Sequence, residues 1–215
     1  MILEADGIEF SYDAKEKVLQ SVYIKVAENE IVGLLGRNGS GKSTLLQVIF
    51  GSLSSETQSV RINGKKLVSQ NKKLQQIAYL PQYNFVPENY TIETICNDYN
   101  CELIAFQNFI EKAIPKKQKF GLLSSGEQRL LELFITLHSS KKFVLLDEPF
   151  SYLSPKMINK ISEEIIKQKS NKGIILTDHL YQNVINISDE IYFIQKGCTQ
   201  KMNHLEDLKR LGYLR

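Results

Sequence analysis

The sequence IVGLLGRNGSGKSTLLQVIFG, at residues 31–51, decides the fold of this chain. Residues 31–35 are an apolar run typical of a buried strand, and residues 43–50 have the pattern of a helix that stops at Gly51. Between them, residues 36–43 match G-x-x-x-x-G-K-[ST]. A strand, this loop and a helix in succession predict a site for the phosphates of a nucleoside triphosphate.

Each residue type in the loop has a physical function. Gly36, Gly39 and Gly41 allow the backbone to curl so that successive N–H groups point at phosphate oxygens. The N-terminus of the following helix adds partial positive charge. Lys42 can reach the β- and γ-phosphates, and Ser43 can place its hydroxyl on Mg²⁺. A glycine turn that only joins strand to helix is the alternative, and the matched context favours the phosphate site.

An acidic pair follows a second apolar run. Residues 143–146 predict a short central parallel strand, which ends at Asp147 and Glu148. Ligands of open α/β sheets bind at the carboxyl ends of the strands. We therefore expect Asp147 to support Mg²⁺ and Glu148 to orient the attacking water. When Asp147 and Glu148 are considered alone, the alternative interpretation is that they cap the next helix.

A third group of residues, LSSGEQ at 123–128, lies between these two motifs at the start of a predicted helix. The backbone amides of Ser125 and Gly126, with the helix N-terminus, would form a second anion site. Ser124 or Ser125 followed by Glu127 is equally the pattern of an ordinary N-terminal cap. The hexapeptide alone favours the cap, whereas its position between the two other motifs favours the anion site.

The remaining elements alternate between strands and helices, which predicts an α/β class. Further strands are predicted at residues 8–12, 22–26, 60–62, 174–176 and 191–194, and further helices at 126–137, 157–169 and 206–211. Residues 83–122 mix aromatic and polar side chains at roughly helical spacing, which indicates a small helical insertion.

Composition excludes several classes of protein. The 215 residues are 42% hydrophobic and 24% charged, which is typical of an ordinary folded domain and not of a disordered chain. No apolar stretch is long enough to cross a bilayer, and no secretory signal is expected at the N-terminus. With a net charge of only +3 and scattered lysine pairs, no nucleic-acid partner is predicted. The cysteines are expected to be free thiols without a metal: Cys96, Cys101 and Cys198.

The order of the motifs resembles the nucleotide-binding ATPase subunit of ATP-binding cassette (ABC) transporters over nearly the whole chain. Residues 36–44 match Walker A, 80–82 resemble the Q-loop, 123–128 the LSGGQ-type signature, 143–149 match Walker B, and 177–179 resemble the switch-histidine segment. Five motifs in the family's order argue strongly against chance similarity.

The resemblance implies a P-loop NTPase (RecA-like) core with an N-terminal antiparallel β part and a small inserted helical subdomain. In this single ABC ATPase domain, residues 1–81 and 124–215 would form the α/β core, and residues 82–123 the insertion. It also implies ATP and Mg²⁺ as cofactors.

The same resemblance implies a head-to-tail dimer that encloses two ATP molecules, formed as a homodimer or with a related ATPase subunit. Ser125 and Gly126 of one chain would close over the γ-phosphate bound by the other chain. The residues implied to hold the nucleotide in its own chain are Tyr12, Gly36, Asn38, Gly39, Ser40, Gly41, Lys42, Ser43 and Thr44.

The catalytic residues implied by the resemblance are Glu148, Gln82 and His179. Gln82 would contact Mg²⁺ and water, and His179 would contact the γ-phosphate and help to align the water. The residues implied to hold Mg²⁺ are Ser43, Gln82 and Asp147. Tyr12 resembles the aromatic residue that stacks on adenine, and a tyrosine on an edge strand is the alternative.

Two residues depart from the family pattern. Ser125 stands where the signature has its first glycine, a mild change because the backbone donors remain. Ser154 stands where the family has an aspartate after Walker B, and serine cannot carry the charge that this aspartate supplies. The insertion is also short for the family.

The function expected from these features is an ATPase subunit, peripheral on the cytoplasmic face of a membrane, that powers a separate membrane-spanning transporter subunit. Tyr83, Phe85 and Tyr90 would lie near the docking surface, or would form the small core of the insertion. A soluble ABC-type ATPase for assembly, repair or translation is the alternative. A small-molecule kinase and a module that binds ATP without hydrolysis fit the motifs less well.

Overall fold

The computed structural model describes residues 1–13, 17–55 and 57–213. Its strands are β1 Ile2–Ser11, β2 Lys17–Ala27, β3 Glu30–Leu35, β4 Thr57–Ile62, β5 Lys65–Lys66, β6 Ile77–Leu80, β7 Phe143–Asp147, β8 Gly173–Thr177, β9 Glu190–Gln195 and β10 Cys198–Met202. Its helices are α1 Lys42–Phe50, α2 Gln70–Gln76, α3 Ile92–Asp98, α4 Leu103–Ile110, α5 Ser125–Leu137, α6 Pro155–Lys169, α7 Tyr181–Ile187 and α8 Leu205–Arg210. The predicted α/β class is confirmed.

The N-terminal sheet is antiparallel, with the strand order β2-β1-β4-β5. In β1, Ala5 and Ile8 are both buried although they are three residues apart, because the pairing with β2 shifts register between them. Gly7 lies in this bulge with a φ of +61°. The bulge explains why β1 extends beyond the predicted residues 8–12, since alternation of side chains is interrupted there. The expected N-terminal antiparallel part is confirmed.

The second sheet positions the candidate site. Its order is β10-β9-β3-β8-β7-β6, in which β9, β3, β8, β7 and β6 are parallel and β10 is antiparallel to β9. The loops after β3, β6, β7 and β8 therefore leave the sheet at one edge. These loops contain the predicted phosphate loop, Gln82, the acidic pair and His179, in that order.

The parallel strands are buried on both faces. In β8, Ile174 and Leu176 pack in an apolar cluster with α5 and α6, whereas Ile175 packs in a second cluster with α1 and the antiparallel sheet. Burial on both faces is the reason that these strands read as continuous apolar runs in the sequence. The loops at the carboxyl edge thus extend from a rigid layer between two cores.

The helices α3 and α4 lie in the segment predicted as a helical insertion. Phe106 and Phe109 of α4 pack against Phe134 of α5, with ring centroids 5.4 and 5.5 Å apart. Phe106 and Phe120 are fully buried and form part of the core on this side of the sheet. The prediction of helices within residues 83–122 is therefore confirmed for α3 and α4.

Several short elements are absent from the sequence prediction, namely β5, α2, β6, α7 and β10. The helix α2 has the sequence QNKKLQQ, in which a single leucine gives no apolar period. The strand β6 has only four residues and pairs with a strand 66 positions further along the chain. Among the described residues, no helix combines the length and apolarity that crossing a bilayer requires.

Candidate functional site

The loop after β3 has the glycine geometry that the motif predicts. Gly39 and Gly41 have φ values of +76° and +98°, in the left-handed region that favours glycine. Gly36 is required for space, since a Cβ there would lie 2.6 Å from Oγ of Ser40 and 2.7 Å from the carbonyl oxygen of Ile194. The backbone of this loop thus curls tightly against the sheet and leads directly into α1.

Lys42 is held inside this loop. Its Nζ donates to the carbonyl oxygens of Gly36, at 2.9 Å, and Arg37, at 3.2 Å. Burial lowers the pKa of the Lys42 ammonium, and the carboxylates of Glu148 and Asp147 oppose that shift. Within the described part of the chain, the buried Oγ of Ser40 has no hydrogen-bond partner. A cation, an unpaired hydroxyl and a curled backbone together suit a phosphate group.

Asp147 joins the phosphate loop to the end of β7. Its Oδ1 accepts a hydrogen bond from Oγ of Ser43 at 3.1 Å, and its Oδ2 accepts one from the hydroxyl of Tyr79 at 3.2 Å. The carboxyl is almost fully buried, and this burial raises its pKa. A buried carboxylate beside a hydroxyl is a donor set of hard oxygens, which Mg²⁺ prefers. The residues present therefore fit a magnesium ion.

Glu148 and His179 lie together at the ends of β7 and β8. Nε2 of His179 is 2.7 Å from Oε1 of Glu148, and Oγ of Ser151 donates to the other carboxylate oxygen at 3.3 Å. Glu148 has a φ of +52°, a conformation unusual for glutamate. Such backbone strain concentrates at functional sites. The structure thus brings together two of the predicted catalytic residues.

Asp178 fixes the loops that hold this pair. Its carboxylate accepts hydrogen bonds from the backbone N–H groups of Phe150 and Leu180, both at 2.9 Å. Burial raises the pKa of Asp178, and the two N–H donors oppose that rise. Because Phe150 follows Glu148 and Leu180 follows His179, this carboxylate ties the two loops to each other.

Gln82 lies two residues beyond the end of β6. In the register of β6 with β7, Leu80 is opposite Leu146, so Gln82 and Glu148 are each two residues past paired positions. The side chain of Gln82 is half-buried at the edge that carries the other site residues.

Tyr12 lies beside the helix that follows the phosphate loop. Its hydroxyl is 3.1 Å from Oγ1 of Thr44, and its ring packs edge-on against Phe10 with centroids 4.8 Å apart. The residue remains 68% exposed. This arrangement agrees with an accessible ring face for a base. The alternative of a tyrosine on an edge strand is wrong, because Tyr12 directly follows β1, which pairs with β2 on one side and with β4 on the other.

The signature segment lies at the start of α5. Ser124 and Glu127 form a reciprocal capping box, in which Oγ of Ser124 accepts from the backbone N–H of Glu127 and the carboxylate accepts from the backbone N–H of Ser124. The ordinary capping interpretation of these residues is thus confirmed. It leaves Ser125 exposed and Gly126 half-buried in the first turn of the helix. Lys112 of the insertion forms an ion pair with Glu127.

Two further charged residues contact the site, and sequence reasoning missed both. Arg129 and Glu132 of α5 are buried, and Arg129 donates to the backbone oxygens of both Asp147 and Glu148. No local signal in the sequence identifies them, because a charged residue on a helix is ordinarily expected to face water.

Together, these features define a class of protein. A phosphate loop joins a central parallel strand to a helix, and an acidic pair ends a strand of the same sheet at the same edge. The protein is therefore a P-loop nucleoside triphosphatase.

Comparison with known proteins identifies the family. The family model described as ABC transporter matches residues 19–151, and the chain belongs to this family. It is 30% identical over 213 residues to the lipopolysaccharide export system ATP-binding protein LptB of Haemophilus influenzae, covering 91% of this chain and 88% of that protein. It is 31% identical over 202 residues to the high-affinity branched-chain amino acid transport ATP-binding protein BraG of Pseudomonas aeruginosa, covering 87% and 86%.

Solved structures agree on the fold. A structure described as the ATP binding subunit of an ABC transporter superposes with a TM-score of 0.86 at 24% identity, covering 99% of this chain and 94% of that one. The predicted resemblance and fold are thus confirmed. This chain binds ATP and is an ATPase subunit that powers a membrane transporter. Subunits of this kind dimerise and work with membrane components.

Proposed function

We propose that this chain binds ATP with Mg²⁺ through residues 36–44 and hydrolyses it in a head-to-tail dimer. The observation that carries the proposal is the single sheet edge on which Lys42, Asp147, Glu148 and His179 meet. Backbone N–H groups of the loop, from Gly36 to Thr44, would surround the phosphates. In this proposal Tyr12 stacks on the base.

Mg²⁺ would be held near Ser43, Asp147 and Gln82. The hydroxyl of Ser43 is already hydrogen-bonded to the Asp147 carboxylate, so the two oxygens lie 3.1 Å apart at the mouth of the loop. When bound, the ion would neutralise negative charge on the β- and γ-phosphates. The carboxylate of Asp147 would orient the hydroxyl and balance the charge of the ion.

Glu148 would orient the water that attacks the γ-phosphate. Its carboxylate is positioned by His179 and Ser151, which contact separate oxygens of the same group. The contact with Ser151, which would remain in place, limits the conformational freedom that Glu148 loses when it orients a water molecule. His179 would leave Glu148 and contact the γ-phosphate, and Gln82 would complete the site from the end of β6.

The second anion site would act across the dimer. The helix α5, which has 13 residues, begins with exposed Ser125 and half-buried Gly126. A helix N-terminus with accessible amides binds anionic groups. In a head-to-tail dimer this terminus would close over the γ-phosphate of the partner. The partner is a second copy of this chain or a related ATPase subunit.

A separate membrane-spanning subunit would dock beside the insertion, on the cytoplasmic face of the membrane. In this proposal the domain consists of a core, residues 1–81 and 124–215, and an insertion, residues 82–123. Between them lies a mostly apolar cavity of about 300 Å³ next to the Gln82 loop. Side chains that line it include Phe50, Leu74, Tyr79, Phe85, Tyr99 and Ile135. Tyr83 and Tyr90 of the insertion are 79% and 39% exposed.

The test of the mechanism is the substitution Glu148→Gln. It removes the charge that activates water but keeps the side-chain shape, so the variant should retain ATP and accumulate as a dimer. Size-exclusion chromatography with light scattering, with and without Mg²⁺ and ATP, measures this. The control is Glu148→Gln combined with Lys42→Ala, which should stay monomeric. A Glu148→Gln variant that binds ATP yet remains monomeric would contradict the proposed dimer.

A further inference from the structure

Two charged side chains of α5 are buried beside the loop that carries Gln82. Arg129 is 1% exposed and Glu132 is 0% exposed. Charged side chains are almost never buried to this degree without specific partners. The partners here are backbone groups on both sides of Gln82, which makes the pair a contact between the signature helix and this loop.

Arg129 fixes the chain immediately before Gln82. Its Nη1 donates to the carbonyl oxygen of Pro81 at 2.7 Å, and its Nη2 donates to those of Asp147 at 2.5 Å and Glu148 at 2.9 Å. One planar guanidinium therefore holds the ends of β6 and β7 at a set separation. Lysine has a single nitrogen and cannot reproduce this fork.

Glu132 fixes the chain three and four residues after Gln82. Its Oε1 accepts from the backbone N–H of Phe85 at 2.6 Å and from that of Val86 at 3.0 Å. The helix α5 makes a third contact with the loop of Gln82, in which Nδ2 of Asn84 donates to Oε1 of Gln128 at 2.9 Å. The loop around Gln82 is thus attached to α5 on both flanks.

Burial of Arg129 and Glu132 requires a large desolvation free energy for the stability that their contacts add. The nearest approach between the two charges is 3.9 Å, from Nη1 of Arg129 to Oε2 of Glu132. Among the described residues, Oε2 of Glu132 and Nε of Arg129 have no hydrogen-bond partner. Burial raises the pKa of Glu132 and lowers that of Arg129. Apolar residues of similar volume often replace such a pair without loss of stability. The pair therefore calls for a role other than stabilisation.

We propose that Arg129 and Glu132 are positioning residues for ATP hydrolysis, which fix Gln82 relative to the acidic pair and make its loop move with the signature helix. Neither residue touches substrate in this scheme, and both act through Gln82. The inference rests on the proposed function, because it requires that Gln82 contribute to hydrolysis.

The first test compares Glu132→Ala with Glu132→Gln in the full chain. Alanine removes the acceptor for two backbone N–H groups, so kcat for ATP should fall about tenfold, while KM changes less than about twofold, since displacement of a catalytic group affects the reacting geometry most. Glutamine keeps a carbonyl oxygen at the acceptor position and should restore most of kcat. The matched control is Thr136→Val, one turn along α5, whose buried hydroxyl donates to the backbone of its own helix.

A double-mutant cycle with Gln82→Ala separates this inference from the proposed function. If Glu132 acts through Gln82, Glu132→Ala should cause no further loss of kcat in the Gln82→Ala background. Unchanged kcat in Gln82→Ala alone would overturn the proposed role of Gln82. The positioning role of Glu132 is wrong if Gln82→Ala lowers kcat and Glu132→Ala lowers it by its full factor again in the double variant. It is also wrong if Glu132→Ala lowers kcat no more than the control Thr136→Val does.

A substitution of the exposed residue Asn84 tests the same role if the Glu132→Ala variant does not fold. Asn84→Ala removes one contact between the loop and α5 without disturbing a buried charge. We expect it to lower kcat about two- to threefold and to leave the affinity for ATP unchanged. Wild-type kcat in Asn84→Ala, together with normal folding, would contradict attachment of the loop as a determinant of rate.

Discussion

Asp178 provides a quantitative test of how the catalytic loops are held. Its carboxylate accepts two backbone hydrogen bonds, from Phe150 and Leu180. A hydrogen bond to a charged acceptor contributes roughly 1.5–3 kcal/mol, so two contribute about 3–6 kcal/mol. Desolvation of the carboxylate, which raises the pKa of Asp178, offsets part of this gain. We therefore expect Asp178→Ala to lower the free energy of unfolding by about 3 kcal/mol.

Urea unfolding followed by circular dichroism measures this loss. With slopes of roughly 1–3 kcal/mol per molar urea, the midpoint should fall by about 1 M or more. Asp178→Asn should lose about half as much, because an amide has one acceptor oxygen for two N–H donors. The control Asp98→Asn changes an exposed aspartate and should stay within about 0.5 kcal/mol of wild type. An Asp178→Asn variant as stable as wild type would refute the reasoning.

Three further predictions concern the phosphate loop, the cap of α6 and the acidic pair. Gly36→Ala should weaken ATP binding at least about tenfold by calorimetry, because its Cβ would clash with Ser40 and displace the loop. Ser154→Ala should cost about 0.5–1 kcal/mol in urea, since Oγ accepts from the N–H of Met157 at 3.4 Å, whereas Ser154→Asp keeps a cap and should be neutral. Mg²⁺-dependent ATP binding should weaken as pH falls through the pKa of Asp147, which burial raises above 3.8. In the absence of Mg²⁺, the raised pKa of Asp147 stabilises the folded state at low pH. This stabilisation is lost as pH rises through the pKa of Asp147 in the folded state. Asp147→Asn should remove this dependence of stability on pH.

The elements that the sequence predicts well are those set by local pattern. The strand, loop and helix around Gly36 to Ser43 are predicted because glycine spacing and an apolar run fix them within about twenty residues. The acidic pair is predicted for the same reason. That Glu148 and His179 meet follows from the order of strands in the sheet, which brings together residues far apart in the chain.

The contacts that the sequence does not predict depend on tertiary packing. A charged residue on a helix is ordinarily expected to face water, and nothing local shows that Arg129 and Glu132 face inward. Their partners are backbone groups, which leave no trace in side-chain patterns. Polar α2 and the four-residue β6 are missed because their stability comes from neighbours rather than from their own periodicity.

The strand order also constrains how the chain reaches its native state. The central strand β3 pairs with β8, where Ile31 meets Ile174, and with β9, where Gly33 meets Ile191. These partners are separated from β3 by most of the polypeptide, and pairings of such long range slow folding. A nascent chain on the ribosome therefore keeps both edges of β3 open until its last third has been synthesised. During that interval an apolar strand with unpaired edges is exposed, and exposed edges of this kind promote aggregation.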